Sequence, residues 1–217
     1  MMHLIGIEKF FRSDVGIRRI LRETNISIPS NKRVGVLGRN GAGKTTLLNL
    51  IAGVDRPNKG QIIRNCNLSW PLGFAGGFHP DLTGRENISF VARLYKADYR
   101  EVFAYAEDFA DIGAYIDVPL RHYSQGMKAR LAFGVSLAIS FECYLIDEIV
   151  GVGDHFFRKK AKTVFVEQSR GAGMLLVTHS EQRVREYCEH VLVLHDGLLL
   201  PFDDVDEGIH FYQRKCA

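Results

Sequence analysis

The sequence predicts an α/β protein in which a helix-rich segment interrupts a lobe of alternating strands and helices. Three observations predict it. A short apolar strand from Arg33 to Leu37 runs into a glycine-rich turn, and a helical pattern follows from Lys44 to Ala52. Two continuous apolar runs, Cys143 to Ile146 and Met174 to Val177, have the character of strands covered on both faces. Between these halves, Arg85 to Tyr95, Glu101 to Asp108 and Lys128 to Ile139 carry helical spacing.

Each element follows from local chemistry. Leu4-Ile5-Gly6-Ile7 and Ile26-Ser27-Ile28 cluster β-branched residues and read as strands. Gly53 and Pro57 stop the helix that begins at Lys44. Trp70 to Thr83, rich in glycine and proline, reads as a loop. Its Gly73, Gly76 and Gly77 suggest a hinge between the α/β and helical parts. Asp196-Gly197 lies between Val191–Leu194 and Leu198–Leu200, a strong hairpin signal. The α/β lobe is expected over about residues 1–71 and 140–217, and the helical lobe over about 72–139, within a single domain.

Composition narrows the function. The 217 residues are 46% hydrophobic and 24% charged, the mix of a globular protein and not of a disordered one. Lys and Arg number 28 against 25 for Asp and Glu. The resulting formal charge of +3 is too weak and too mixed to point to nucleic acid. The longest apolar stretch, Leu131 to Phe141, falls well short of the roughly 18 residues that a spanning helix needs. No direct membrane span is expected. Cys66, Cys143, Cys188 and Cys216 lie far apart without a C-x-x-C pair, which argues against zinc and for a reduced, cytoplasmic chain. Arg158-Lys159-Lys160 with Lys162 reads as a solvated basic helix face.

Chemistry enters at Gly38-Arg39-Asn40-Gly41-Ala42-Gly43-Lys44-Thr45, which matches G-x-x-x-x-G-K-[ST] at every fixed position. A strand precedes it and a helix follows, as a P-loop NTPase requires. The glycines allow backbone angles that turn N–H groups toward phosphate oxygens, and the helix start adds a positive dipole end. Lys44 can reach terminal phosphates as a point charge, and the Thr45 hydroxyl can bind Mg²⁺. The run Cys143 to Ile146 then delivers Asp147 and Glu148 to a strand end. Asp147 is the expected metal partner, acting through water. Strand alternation aims Glu148 elsewhere, where it can act as the base for an attacking water.

With these residues the chain resembles the nucleotide-binding subunit of an ABC transporter. Tyr123-Ser124-Gln125-Gly126-Met127 resembles that family's LSGGQ signature, some twenty residues before the acidic pair. Gly151-Val152-Gly153-Asp154 stands at the D-loop position, and Thr178-His179 at that of the switch histidine. Phe11, just after Lys9, stands where an aromatic ring stacks on adenine. The resemblance covers nearly the whole chain. Two departures mark it: no Q-loop glutamine occurs at Phe74-Ala75-Gly76-Gly77, and Gln125 replaces the signature's second glycine.

Ser69-Trp70-Pro71, Gly76-Gly77-Phe78, Leu82 to Asn87 and Asp147-Glu148-Ile149 resemble the subfamily that exports bacterial surface polysaccharides, capsular ones above all. The chain ends at Ala217, soon after the expected core, so the additional C-terminal domain of related O-antigen exporters is not expected.

The resemblance implies a RecA-like α/β core with N-terminal antiparallel strands and an inserted helical subdomain. It implies ATP and Mg²⁺ as ligands, with Gly38 to Thr46, Phe11 and Asp154 on the nucleotide, and Thr45 and Asp147 on the metal. Catalysis would fall to Glu148, His179 and Lys44. It further implies an ATP-dependent homodimer in which Ser124, Gln125 and Gly126 of one copy meet the nucleotide of the other. Partnered with a membrane permease, such a subunit would work at the cytoplasmic face of the bacterial inner membrane. One competing reading is a non-transport ABC ATPase acting on ribosomes or nucleic acid, which usually carries two cassettes or long coiled-coil inserts. Another is a P-loop kinase or GTPase, but Asn31-Lys32 precedes the loop and continues into Arg33-Val34, so no N-K-x-D motif exists.

Overall fold

The computed structural model describes residues 1–14, 16–72, 77–148 and 155–216. Two compact units share the chain. The first is formed by Met1–Pro71, Phe141–Ile149 and Gly171–Ala217, the second by Leu72–Ser140 and Val150–Arg170.

The first unit holds both sheets. β1 (Met2–Ser13) pairs antiparallel with β2 (Gly16–Ile28) and with β4 (Lys59–Arg64), giving the order β2-β1-β4. The second sheet runs β5-β6-β7-β3-β8-β9, from β5 (Leu68–Pro71), β6 (Cys143–Asp147), β7 (Gly173–Val177), β3 (Arg33–Leu37), β8 (His190–His195) and β9 (Leu198–Phe202). Its first five strands are parallel, and β9 closes it as an antiparallel hairpin with β8. The antiparallel N-terminal strands and parallel core fulfil the expected fold class.

The continuous apolar runs are explained by their two covered faces. Val34, Val36, Leu145, Leu175 and Leu192 join a core with Leu47, Leu48, Leu50 and Ile51 of α1 (Lys44–Ala52) and with Met2, Leu4 and Ile7 of β1. Leu37, Val191 and Val193 face the opposite way, onto Val184 of α6 (Glu181–Tyr187) and Ile209 of α7 (Val205–Lys215). Alternate residues of one strand therefore serve different cores. Each such side chain contributes roughly 1.5–3 kcal/mol on burial. Arg64 reaches from β4 to the C-terminal end of α1, where Nε donates to Ile51 O at 2.6 Å and Nη2 to Leu50 O at 2.7 Å. Carbonyls of the last helical turn thereby gain side-chain donors, Leu50 O in addition to the Gly53 N–H.

One expectation is corrected here. Trp70 and Pro71 belong to β5 and not to the loop expected from Trp70 onward. Proline lacks the N–H that an inner strand needs, but β5 is an edge strand and tolerates it. The hinge glycines Gly73 and Gly76 lie outside the described residues.

The second unit is helical: α2 (Gly84–Leu94), α3 (Tyr99–Ala110), α4 (Gln125–Ala138) and α5 (His155–Gln168), with short 3-10 turns at Gly113–Asp117 and Leu120–His122. Thr83 and Glu86 form a reciprocal capping box that starts α2. Phe109 of α3 packs against Phe133 of α4 and Phe157 of α5, so α5 sits with the helices although 140–217 was expected in the α/β lobe. Among the described residues no helix is long and apolar enough to cross a membrane, and all four cysteines are free thiols.

Candidate nucleotide-binding site

The glycine-rich turn joins the end of β3 to the start of α1. Gly41 and Gly43 occupy left-handed angles, with φ of 78° and 105°. At Gly43 an added Cβ would stand 2.2 Å from Ile20 Cγ2, so both the angle and the space require glycine. Gly43 caps α1 with no side-chain hydrogen bond, which leaves the first helical N–H groups for an anion. Lys44 is 8% exposed, and its Nζ donates to Gly38 O at 2.7 Å and to Arg39 O at 3.0 Å. Burial lowers the Lys44 pKa from its ordinary value, while the charges of Glu148 and Asp147 pull it back up.

β6 carries the acids to the same place. The Thr45 hydroxyl donates to Asp147 Oδ2 at 2.6 Å. Glu148 follows with φ of 45°, its N–H donating to Val177 O at 2.9 Å. Its carboxylate is hydrogen-bonded to Nδ1 of His179, which lies just beyond β7. Strand alternation had aimed Glu148 away from Asp147, and that expectation fails. The strand ends at Asp147, and the left-handed turn at Glu148 brings both carboxylates into one pocket. Such an angle is strained for a glutamate, and strain of this kind gathers at functional sites.

That pocket has a volume of about 590 Å³ and is lined by Phe11, Arg18, Ile20, Asn40, Gly41, Gly43 to Thr46, Asp147 and Glu148. Phe11 is 47% exposed at the pocket wall, with Lys9 Nζ over its ring at 4.9 Å from the centroid. Arg18 and Ile20 were missed by the sequence reading. Their signal is the register of β1 on β2, in which Phe11 is the Cα partner of Arg18. Three irregularities along that pair hide the register from sequence periodicity.

The loop is also less uniform than its motif. Arg39 and Ala42, with Asn40 and Gly41, line a neighbouring hollow of about 660 Å³ together with Arg18, Arg19, Arg22 and His195. Gly38 is buried, and an added Cβ would meet Leu194 O at 2.9 Å.

In the second unit, Ser124 is the N-cap of α4, its hydroxyl accepting from the Met127 N–H at 3.2 Å. Gln125 is exposed, and at Gly126 an added Cβ would meet only Ser124 Oγ, at 3.8 Å. The helix start is therefore open to an approaching group. Asp154, the D-loop and Phe74 to Gly76 lie outside the described residues.

A family model described as ABC transporter matches residues 21–151, more than half of the chain. The chain belongs to that family. Within it, the chain is 42% identical over 216 residues to the polysialic acid transport ATP-binding protein KpsT of Escherichia coli, covering 98% of this chain and 96% of that one. It is 41% identical over 212 residues to the capsule polysaccharide export ATP-binding protein CtrD of Neisseria meningitidis serogroup B, covering 98% of each. A dimeric ATP-binding cassette solved in a post-hydrolysis state with ADP and Pi superposes with a TM-score of 0.73. At 20% identity, over 92% of this chain and 96% of that one, the likeness establishes the shared ABC ATPase fold.

Proposed function

We propose that this chain is the ATP-hydrolysing subunit of an ABC exporter that moves capsular or related surface polysaccharide across the bacterial inner membrane. The observation that carries the ATPase reading is one pocket holding Lys44, the Thr45–Asp147 pair and Glu148, whose carboxylate is hydrogen-bonded to His179. The cargo reading is supported by similarity over almost the full length of polysialic acid and capsule export proteins. Those names favour export over work on ribosomes or nucleic acid.

ATP would lie with its base against Phe11 and its terminal phosphates over the start of α1. Lys44 exchanges the carbonyls of Gly38 and Arg39 for phosphate oxygens, compensating their charge in a nearly water-free position. Thr45 and Asp147 supply hard oxygen donors that suit Mg²⁺. No group of three or more His, Cys, Asp or Glu among the described residues holds a metal unaided, so phosphate oxygens and water would complete the shell. When bound, the ion neutralises charge on the terminal phosphates.

Glu148 takes the proton of the attacking water on its carboxylate. With its Nδ1 proton in place, His179 donates to that carboxylate and fixes its direction. Two copies would close head to tail, Ser124, Gln125 and Gly126 of each meeting the nucleotide of the other. A transmembrane partner would convert that closure into transport at the cytoplasmic face. The test removes the chain from its host and restores it: surface polysaccharide should vanish and return, and a membrane-spanning subunit should co-purify with the chain. Unchanged surface polysaccharide in its absence would contradict the proposal.

A further inference from the structure

Arg18 stands at the join between the two ends of the pocket. On β2 it is the Cα partner of Phe11, which lines the pocket. Its Nη2 crosses to the phosphate loop and donates to Gly41 O at 2.7 Å, the one side-chain hydrogen bond Arg18 makes among the described residues. A guanidinium carries five N–H donors in a rigid plane, so several remain for a ligand. No carboxylate pairs with it among the described residues, and Arg19, Arg22 and Arg39 line the adjoining hollow beside a single acid, Asp196. That hollow, and not the pocket itself, carries the excess positive charge.

We propose that Arg18 binds the ribose of the nucleotide while holding the crest of the phosphate loop at Gly41. This rests on the reading of the pocket as an ATP site. A base on Phe11 and terminal phosphates at Lys44 leave the ribose between them, where Arg18 stands. The carbonyl of Gly41, at a left-handed corner, ties the loop to the strand that carries Arg18. Arg18 thus joins base recognition on one element to phosphate recognition on another.

The test compares Arg18→Gln and Arg18→Lys with the unaltered chain by calorimetry, using Mg·ATP, Mg·ADP and magnesium tripolyphosphate as probes. Tripolyphosphate offers the loop three phosphates without ribose, and its binding is read by displacement of ATP. Arg18→Gln should weaken ATP and ADP alike by about tenfold, the loss of one charge-assisted hydrogen bond. Tripolyphosphate should change by less than about twofold, and KM for ATP should rise with kcat held. Arg18→Lys, which restores charge without the fork, should recover part of the loss. Equal weakening of all three probes would reduce Arg18 to a prop for the loop and overturn the proposal. So would unaltered nucleotide affinity. Failure of the unaltered chain to bind Mg·ATP would instead overturn the ATP reading itself.

Discussion

The Thr45 hydroxyl donates to Asp147 Oδ2 at 2.6 Å, joining residues that lie 102 positions apart in the chain. One belongs to the first turn of α1 and the other ends β6, so the parallel sheet itself sets their distance. Both oxygens are hard donors, and together they define where a divalent cation would sit beside the phosphates. Asp147→Asn keeps the shape and removes the charge. It should lower Mg²⁺ affinity by roughly 10–100-fold, the range for partners that hold a metal through a bridging group. Titrating Mg²⁺ against ATP hydrolysis checks this, and an unmoved midpoint would separate Asp147 from the metal.

Lys44→Ala removes the buried cation that would face the terminal phosphates in the proposed complex. Affinity for Mg·ATP should fall by roughly 10–100-fold, in line with the loss of charge-assisted hydrogen bonds. The unliganded fold should persist, because Lys44 is tied there only to loop carbonyls. Equilibrium binding and a far-ultraviolet spectrum read both outcomes.

Gly43→Ala tests the shape of the loop. The left-handed angle and the 2.2 Å approach of Ile20 Cγ2 leave no room for a methyl group. A loss of about 1–3 kcal/mol is expected from the backbone strain, seen as a lower urea midpoint together with weaker nucleotide binding. Retained stability with retained affinity would mean that the loop has slack.

Asn87, 1% exposed, holds the segment before α2. Its Oδ1 accepts from the His79 N–H at 2.7 Å, and its Nδ2 donates to the carbonyls of Thr83, His79 and Leu82 at 2.9, 3.1 and 3.2 Å. Asn87→Ala strands the His79 N–H and removes a second donor from each of the carbonyls, which keep their backbone partners. A cost of about 1–3 kcal/mol follows, with faster amide exchange over residues 79–83 as its signature.

Much of this was legible in the sequence. The phosphate loop is a local device, written in one run from Gly38 to Thr45, and the apolar strands before it and before Asp147 are continuous. The helices α2 and α3 announce themselves by period and by the caps Thr83 and Asp98, while α4, buried nearly all round, is marked by its cap Ser124 and its apolar run. What stayed hidden depends on partners distant in the chain. β5 contains a proline and becomes a strand only by lying at a sheet edge. Arg18 enters the site through a hairpin register broken by bulges. Glu148 turns into the pocket through a backbone angle that residue type does not advertise.

The central claim is that Glu148 drives export by splitting ATP in this pocket. The most direct measurement replaces the host's own copy with Glu148→Gln and follows ATP turnover of the purified transporter beside polysaccharide at the cell surface. The account predicts nucleotide binding as before, hydrolysis lowered by roughly 10²–10⁴-fold, and polymer retained inside the cell. Normal hydrolysis with normal surface polysaccharide would contradict it.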